Sequence, residues 1–535
     1  MSLRRPAILF LLVIIVLIVL TIYSYNWLSL SFLAPKTESM ILPIASVFSP
    51  LEVNSDVPEV VNSAVTNVNP KARIVAVDTK ARARLVISHQ PTATEWVLVP
   101  VMPFPTIKDE ISWSDILSFW EEGDNRVLPT LFCTQEVKVG MEALLGKPNT
   151  DTSIKIVLPE KIVDEAWAAR PDSWAIVPFD QLAPRWKVLR LDGVNVLEKG
   201  LSKKAYPLRV YFSIEGEQAD KFILPQFTNR DEEQMTVLMM TGVTALVRAT
   251  AAQMERSGVL YPSQHVSLVL CSADITHISN EIPFAKDCPF PNANQKTLTF
   301  CSDPRYIELL EEVGTDVVEL TGNHFEDYGP EATRETVAMY DKEGWYHYGG
   351  GIDLADAQKP STMTDHGNSI SFMGCNPVGP AFAWAGENYP GAAPCDFDYM
   401  YETLNQLKEK VNVPIVSWQY EEFYRYSPTP QQQEDFRAMI DAGAKIVSGS
   451  QAHQPQAMEF YNDGFIHYGL GNLFFDQMEE LGTRQECIDR HVIYNGRHIS
   501  TELLTFMLEN YAQPRPMTTE ERRALLQSLF SASGW

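Results

Sequence analysis

The chain has 535 residues, which exceeds what one hydrophobic core usually supports and predicts two or three domains. Its 45% hydrophobic and 21% charged residues exclude a disordered chain. A formal net charge of −25 with no basic cluster excludes an electrostatic nucleic-acid footprint, and argues against general attraction to a polyanion unless a local basic pocket forms.

The amino terminus predicts a membrane anchor. Arg4 and Arg5 precede an apolar run from Ala7 to Tyr23, interrupted only by Thr21. At 1.5 Å rise per residue the run reaches ~27 Å, enough to cross a bilayer core. Tyr23, Tyr25 and Trp27 follow as an interfacial aromatic belt, and the arginines hold the short end in the cytoplasm. Residues 1–35 are therefore expected to form a cytoplasmic tip and single-pass signal anchor in the cell membrane. The bulk of the chain is expected to be extracytoplasmic. Residues 36–70, rich in Pro, Ser, Val and Asn without steady periodicity, read as a linker.

From residue 71 to about 230, short apolar strands alternate with helix-like stretches. Residues 96–101 read as a strand, and Ser112 is an N-cap candidate for a helix ending near Gly123. Residues 173–180, 186–193 and 206–211 read as further strands. The sequence Trp-Val-Leu-Val-Pro-Val, the Ser-capped helix, the later Ala-Ile-Val-Pro-Phe and the final Tyr-Pro-Leu together resemble phosphate-type periplasmic solute-binding domains. The resemblance implies an α/β domain, though no ligand signature stands out in it.

After the charged boundary at residues 229–233, strand and helix alternate again. Strands are predicted at 236–241, 266–271, 316–321, 369–373, 413–418 and 444–448, with helices near 243–256, 303–313, 330–343 and 430–442. Residues 458–468 read as a hairpin turning at Asn462-Asp-Gly464. Residues 479–535 read as a C-terminal hairpin around Asn495-Gly496, followed by a helix that Thr518 and Glu521 open as a capping box. The seven cysteines show no metal-ligand spacing. Cys288 with Cys301, or Cys375 with Cys395, is placed to pair across a loop.

The chemistry concentrates at residues 318–329, where an apolar strand ends in Gly322-Asn323-His324 and a carboxylate, Asp327, follows. Open α/β sheets place ligands at the carboxyl edge of their strands, and an amide oxygen beside an imidazole suits a divalent metal. Residues 322–329 (Gly-Asn-His-Phe-Glu-Asp-Tyr-Gly), 345–360, 427–449, 449–456 and 468–477 (Tyr-Gly-Leu-Gly-Asn-Leu-Phe-Phe-Asp-Gln) form five ordered blocks. Together they resemble the capsule synthesis protein CapA family, associated with poly-γ-glutamate and built on a calcineurin-like metallophosphoesterase fold. The expected fold class is accordingly α/β: a transmembrane helix, a solute-binding-like domain over 71–230, and a layered α/β sandwich over 234–478.

The resemblance implies metal ligands at Glu281, Asn323, His324 and His453, with Asp327 orienting His324, and His324 and His453 as acid–base candidates. Four family positions depart from the pattern. Val243 stands where a ligating carboxylate is usual, Gln419 replaces a histidine, and Ser450 and Gln451 replace two more. Such a set predicts one divalent ion rather than two. Residues 420–426, aromatic and acidic, read as a loop anchor or pocket lining, and residues 382–389 as a lid or surface packing. The implied role is synthesis or export of extracellular poly-γ-glutamate, with the anionic polymer or its membrane synthase complex as partner and no nucleic acid. Two other readings remain open: a metal-dependent hydrolase of phosphoester or amide bonds, and a non-catalytic solute sensor or scaffold.

Overall fold

The structure, a computed structural model, describes residues 50–53, 57–75, 81–202 and 204–535. The predicted anchor at residues 7–23 and the first part of the predicted linker lie outside these residues. Among the described residues no helix is long and apolar enough to cross a membrane.

The front domain is organised by one strand, Thr94–Pro103, all ten of whose residues are buried. A strand covered on both faces needs an apolar side chain at nearly every position, and Trp96-Val-Leu-Val-Pro-Val supplies that. Arg209–Glu215 and Ser173–Pro178 pair with it antiparallel, and Thr130–Cys133 then extends the sheet in parallel from Ser173–Pro178. Pro50–Val53 and Glu59–Val68 correct the linker prediction. The first is a strand of this sheet and the second a helix, because Val61 and Val65, one turn apart, are buried against it. The predicted Ser112 cap forms as a full capping box with Asp115.

The rear domain is a four-layer sandwich. One sheet runs in the spatial order Tyr346–Tyr348, Val317–Glu319, Ile275–Asn280, Met235–Thr244, Gln485–Tyr494, Arg497–Glu509, Gln513–Pro516. The other runs Ser361–Asp365, Asn368–Met373, Val413–Gln419, Ile446–Ser450, Gly464–His467, Met458–Tyr461. Leu238, Ile275, Val317, Ile370, Val413 and Ile446 fill the space between the sheets. Helices Arg248–Ser257 and Gly329–Glu343 cover the first sheet through Met254 and Val337, and Phe397–Leu407 and Pro430–Ala442 cover the second through Leu404 and Phe436.

Two expectations are corrected here. Residues 266–271 are not a strand: Ser267–Leu270 is a short helix with Leu268 89% exposed, and the strand is Ile275–Asn280. Residues 479–535 form the expected hairpin and helix, but not as a unit separate from the 234–478 sandwich. Gln485–Tyr494 pairs along Met235–Met240 in the middle of the first sheet, so the C-terminal segment completes the sandwich. Both cysteine pairs considered from the sequence are bonded, Cys288–Cys301 and Cys375–Cys395, leaving Cys133, Cys271 and Cys487 free.

The front domain is locked onto the rear one by rings and charges. Phe104 lies 5.1 Å from Phe460, 5.8 Å from Trp535 and 5.9 Å from Phe465, and Trp167 lies 5.8 Å from Phe460. Beside them Arg522, on the terminal helix, grips Asp109 with two hydrogen bonds of 3.0 and 2.9 Å, and Lys187 reaches the same carboxylate at 2.6 Å. Burial alone would raise the Asp109 pKa, but the two cations hold it at about 2. A cavity of about 330 Å³ lies beneath this clamp, away from the predicted site residues. Because Phe104 is 3% exposed and central to the ring cluster, Phe104→Ala should cost about 3–5 kcal/mol in urea unfolding of the chain. A loss below about 1 kcal/mol would show that the rings do not join the domains.

Candidate functional site at the carboxyl edge of both sheets

The parallel strands of the rear domain deliver their carboxyl ends to one place. Ile275–Asn280 ends at Glu281, Val317–Glu319 leads to Asn323 and His324, Val413–Gln419 ends at Gln419, and Ile446–Ser450 leads to Gln451 and His453. Close approach of these ends depends on glycine. A Cβ at Gly322 would meet the Glu281 carbonyl oxygen at 2.3 Å, and one at Gly242 would meet the Gly471 carbonyl oxygen at 2.1 Å.

Beneath the edge sits Glu319, 1% exposed. Its carboxyl accepts hydrogen bonds from Thr321 Oγ1 at 2.5 Å, Ser417 Oγ at 2.8 Å and Ser450 Oγ at 2.9 Å. Burial raises its pKa and the hydroxyls oppose that shift. Ser417 and Ser450 belong to the second sheet, so this one side chain ties the two sheets together directly under the cleft.

His324 Nδ1 lies 2.7 Å from Asp327 Oδ2, which also accepts the Phe300 N–H at 2.8 Å. That leaves His324 Nε2 facing away from its carboxylate. Burial works to lower the His324 pKa, but the Asp327 hydrogen bond and the charges of Glu281, Asp327 and Glu422 outweigh it and raise the value. His453, in a left-handed backbone conformation with φ 53°, is 3% exposed and fixed by Asn472, whose Oδ1 lies 2.7 Å from its Nδ1. Asn323 gives its backbone N–H to Gln419 Oε1 at 3.1 Å, while its own Oδ1 is buried without a partner. Glu281 is 2% exposed, and its backbone N–H is held by the Thr244 carbonyl at 3.0 Å.

The four departures now have physical descriptions. Val243 is a strand residue with its N–H on the Gly471 carbonyl. Ser450 serves Glu319, and Gln419 holds Asn323. Gln451 sits at φ 79° with its Oε1 buried and unpartnered. None of these four side chains offers a carboxylate or an imidazole, the donors on which a two-ion centre draws.

For a single ion the remaining donors are Glu281, Asn323, His324 and His453, with the unpartnered Asn323 Oδ1 as the best-placed oxygen. Among the described residues, however, the only group of three His, Cys, Asp or Glu donors lying within 4.8 Å of one another is Asp274, Asp365 and His366. That group lies at the opposite, amino-terminal edge of the strands, where Lys199 Nζ already contacts Asp274 at 2.5 Å. The predicted carboxylate and imidazoles thus share a cleft without forming a closed cage.

Several residues that the sequence did not single out complete the cleft. Arg248, at φ 49°, pairs with Asp476, which also caps the following helix by accepting the Ala249 N–H at 2.8 Å. The Arg248 guanidinium lies 5.2 Å from the Phe300 ring and 4.9 Å from the Phe475 ring. Those rings pack in turn, tilted, against His324 at 4.5 Å and His453 at 5.2 Å, so a single arginine braces both histidines. Asp476 was within reach of sequence reasoning, because it stands in the closing Leu-Gly-Asn block. Tyr424, from the aromatic-acidic loop, donates its hydroxyl to Glu422 and faces His453 at 6.4 Å. That loop therefore lines the cleft.

A raised folded-state pKa at His324 stabilises the fold below the ordinary histidine value of about 6.5 and loses that contribution as pH rises through the raised value. In Asp327→Asn the His324 ring resonances should titrate at lower pH than in the native chain. The stability gap between the two proteins should be widest on the acid side of about pH 6.5. An unchanged His324 titration would show that Asp327 does not hold the imidazolium.

Comparison with known proteins accords with this geometry. Residues 237–477 match the family described as "Bacterial capsule synthesis protein PGA_cap". The capsule biosynthesis protein CapA of Bacillus anthracis is 26% identical over 298 residues, covering 54% of this chain and 71% of that protein. The PGA biosynthesis protein CapA of Bacillus subtilis (strain 168) is 28% identical over 244 residues, covering 45% of this chain and 64% of that protein. Among solved structures, the 5'-nucleotidase precursor from Thermus thermophilus aligns with a TM-score of 0.34 and 14% identity, over 56% of this chain and 59% of that one. A structural likeness that low carries no argument about this chain. Residues 237–477, which hold the ordered blocks that build the cleft, are thus similar to the bacterial capsule synthesis protein family.

Proposed function

We propose that the chain is an accessory protein of extracellular poly-γ-glutamate synthesis or export, anchored in the cell membrane by residues 7–23. It holds the polymer at the carboxyl-edge cleft rather than cutting it with a metal pair. The observation that carries this reading is the fate of the family ligand positions. Gln419 and Ser450 use their side chains in the protein's own hydrogen bonds, and Val243 carries no side-chain donor atom.

What the cleft keeps is a binding apparatus. Asp327 biases His324 toward the imidazolium, so its Nε2–H is a charged donor for an oxygen of the ligand. His453 is held at Nδ1 by Asn472, and Arg248 is braced between two rings with its charge shared by Asp476. A single divalent ion, where one is held by Asn323 and its neighbours, would add a Lewis acid to this set; no step of the holding role depends on it. Two disulfides among the described residues support an extracytoplasmic setting for the bulk of the chain. The B. anthracis and B. subtilis relatives bear names tied to capsule and PGA biosynthesis, and they support the polymer assignment.

The test is polymer output. Removing this protein from its host should lower extracellular poly-γ-glutamate, and the native chain should restore it. The double variant His324→Ala, Arg248→Ala should restore well under half. Polymer levels unchanged by removal of the protein would contradict the assignment.

A further inference from the structure

The cleft floor is furnished with amides where imidazoles would hold a metal. Gln419 is 1% exposed and Gln451 3% exposed. Gln419 Nε2, Gln451 Oε1 and Asn323 Oδ1 are all buried without a hydrogen-bond partner. The Gln419 amide orientation is set by its own contact: Oε1 accepts the Asn323 backbone N–H at 3.1 Å, which leaves Nε2 as a buried donor without a partner. Topology brings the three residues to neighbouring strand ends. Gln419 pairs in register with Ser450, the residue before Gln451, and Asn323 is bonded to Gln419. Gln451 also adopts φ 79°, a conformation a non-glycine residue holds only when its surroundings impose it.

Buried polar groups without partners are costly, and several on adjoining strand ends call for a ligand that satisfies them. One free donor beside two free acceptors is the complement of a secondary amide, which offers one C=O and one N–H. We infer that Gln419, Gln451 and Asn323 bind the amide linkage of the ligand's backbone: Gln419 Nε2 donates to its carbonyl, and Gln451 Oε1 or Asn323 Oδ1 accepts its N–H. This inference rests on the polymer-holding role and specifies which part of the polymer is gripped. It also resolves a charge conflict. A chain of net charge −25, with Glu281 and Glu422 in the cleft, is poorly suited to grasp a polyanion by its carboxylates. Reading the neutral backbone avoids that repulsion and rejects polyanions that lack an N–H.

The experiment uses the full-length chain in detergent, titrated calorimetrically with a γ-linked glutamate decamer and with polyacrylate of matched length, which carries carboxylates but no amide. Gln419→Glu keeps an acceptor for the Asn323 N–H and removes the free donor. Gln451→Met removes the free acceptor without adding charge. The inference expects binding of the decamer and not of polyacrylate, with each variant weakening the decamer about tenfold while circular dichroism shows it folded. Equal binding of both polymers, undiminished in the variants, would overturn amide recognition while leaving the polymer-holding role in place. Binding of neither by the native chain would overturn both.

Discussion

The carboxyl-edge cleft exists because Glu319 is buried between two sheets and bonded to both. Its hydroxyl partners come from the loop after its own strand (Thr321) and from two strands of the facing sheet (Ser417 and Ser450). Thr321 Oγ1 also receives the Gln419 N–H at 2.9 Å, so the same tie fixes the register between the loop carrying Asn323 and His324 and the strand carrying Gln419. A carboxyl in that position is costly to desolvate and is tolerated only when its acceptor sites are filled. Ser450 shows the consequence. Where the family resemblance implies a histidine, this chain carries a hydroxyl turned toward Glu319.

This exchange explains why the fold was more legible from sequence than the site. Helices with capping boxes, such as those opened by Ser112, Thr429 and Thr518, announce themselves locally and form where expected. The Asn462 and Asn495 turns, both at positive φ, likewise specify their hairpins. The strand Ile275–Asn280 was harder to see. Both faces mix polar and apolar residues, Ile275, His277 and Ser279 on one and Thr276, Ile278 and Asn280 on the other, all buried. No apolar alternation marks it as a strand, although neither face meets water. The neighbouring run Val266-Ser-Leu-Val-Leu270 looked more strand-like and is helical, because only Val266 and Leu270 of that run are buried, one helical turn apart.

The site residues named from the blocks do gather at one edge, and Asp327 stands beside His324 as a partner carboxylate. What the sequence could not show was bracing at a distance. Arg248 is about 80 residues from His324 and 200 from His453 in the chain, yet through Phe300 and Phe475 it supports both. Nor could spacing reveal that Gln419, Gln451 and Asn323 would each end with a polar atom unanswered. Such facts arise from the packing of three strand ends, not from any local pattern. The front domain adds no residue to the cleft; its contribution is mechanical, clamped by the Phe104 ring cluster and by the Asp109 grip on the terminal helix that completes the rear sheet.

The most direct test of this account is the metal content of the purified full-length chain, measured by elemental analysis after incubation with excess manganese, zinc or magnesium and removal of free ion. A cleft in which Val243, Gln419, Ser450 and Gln451 offer no carboxylate or imidazole predicts no more than one bound ion per chain. Two ions per chain, both lost in His324→Ala, would contradict it and restore the hydrolase reading.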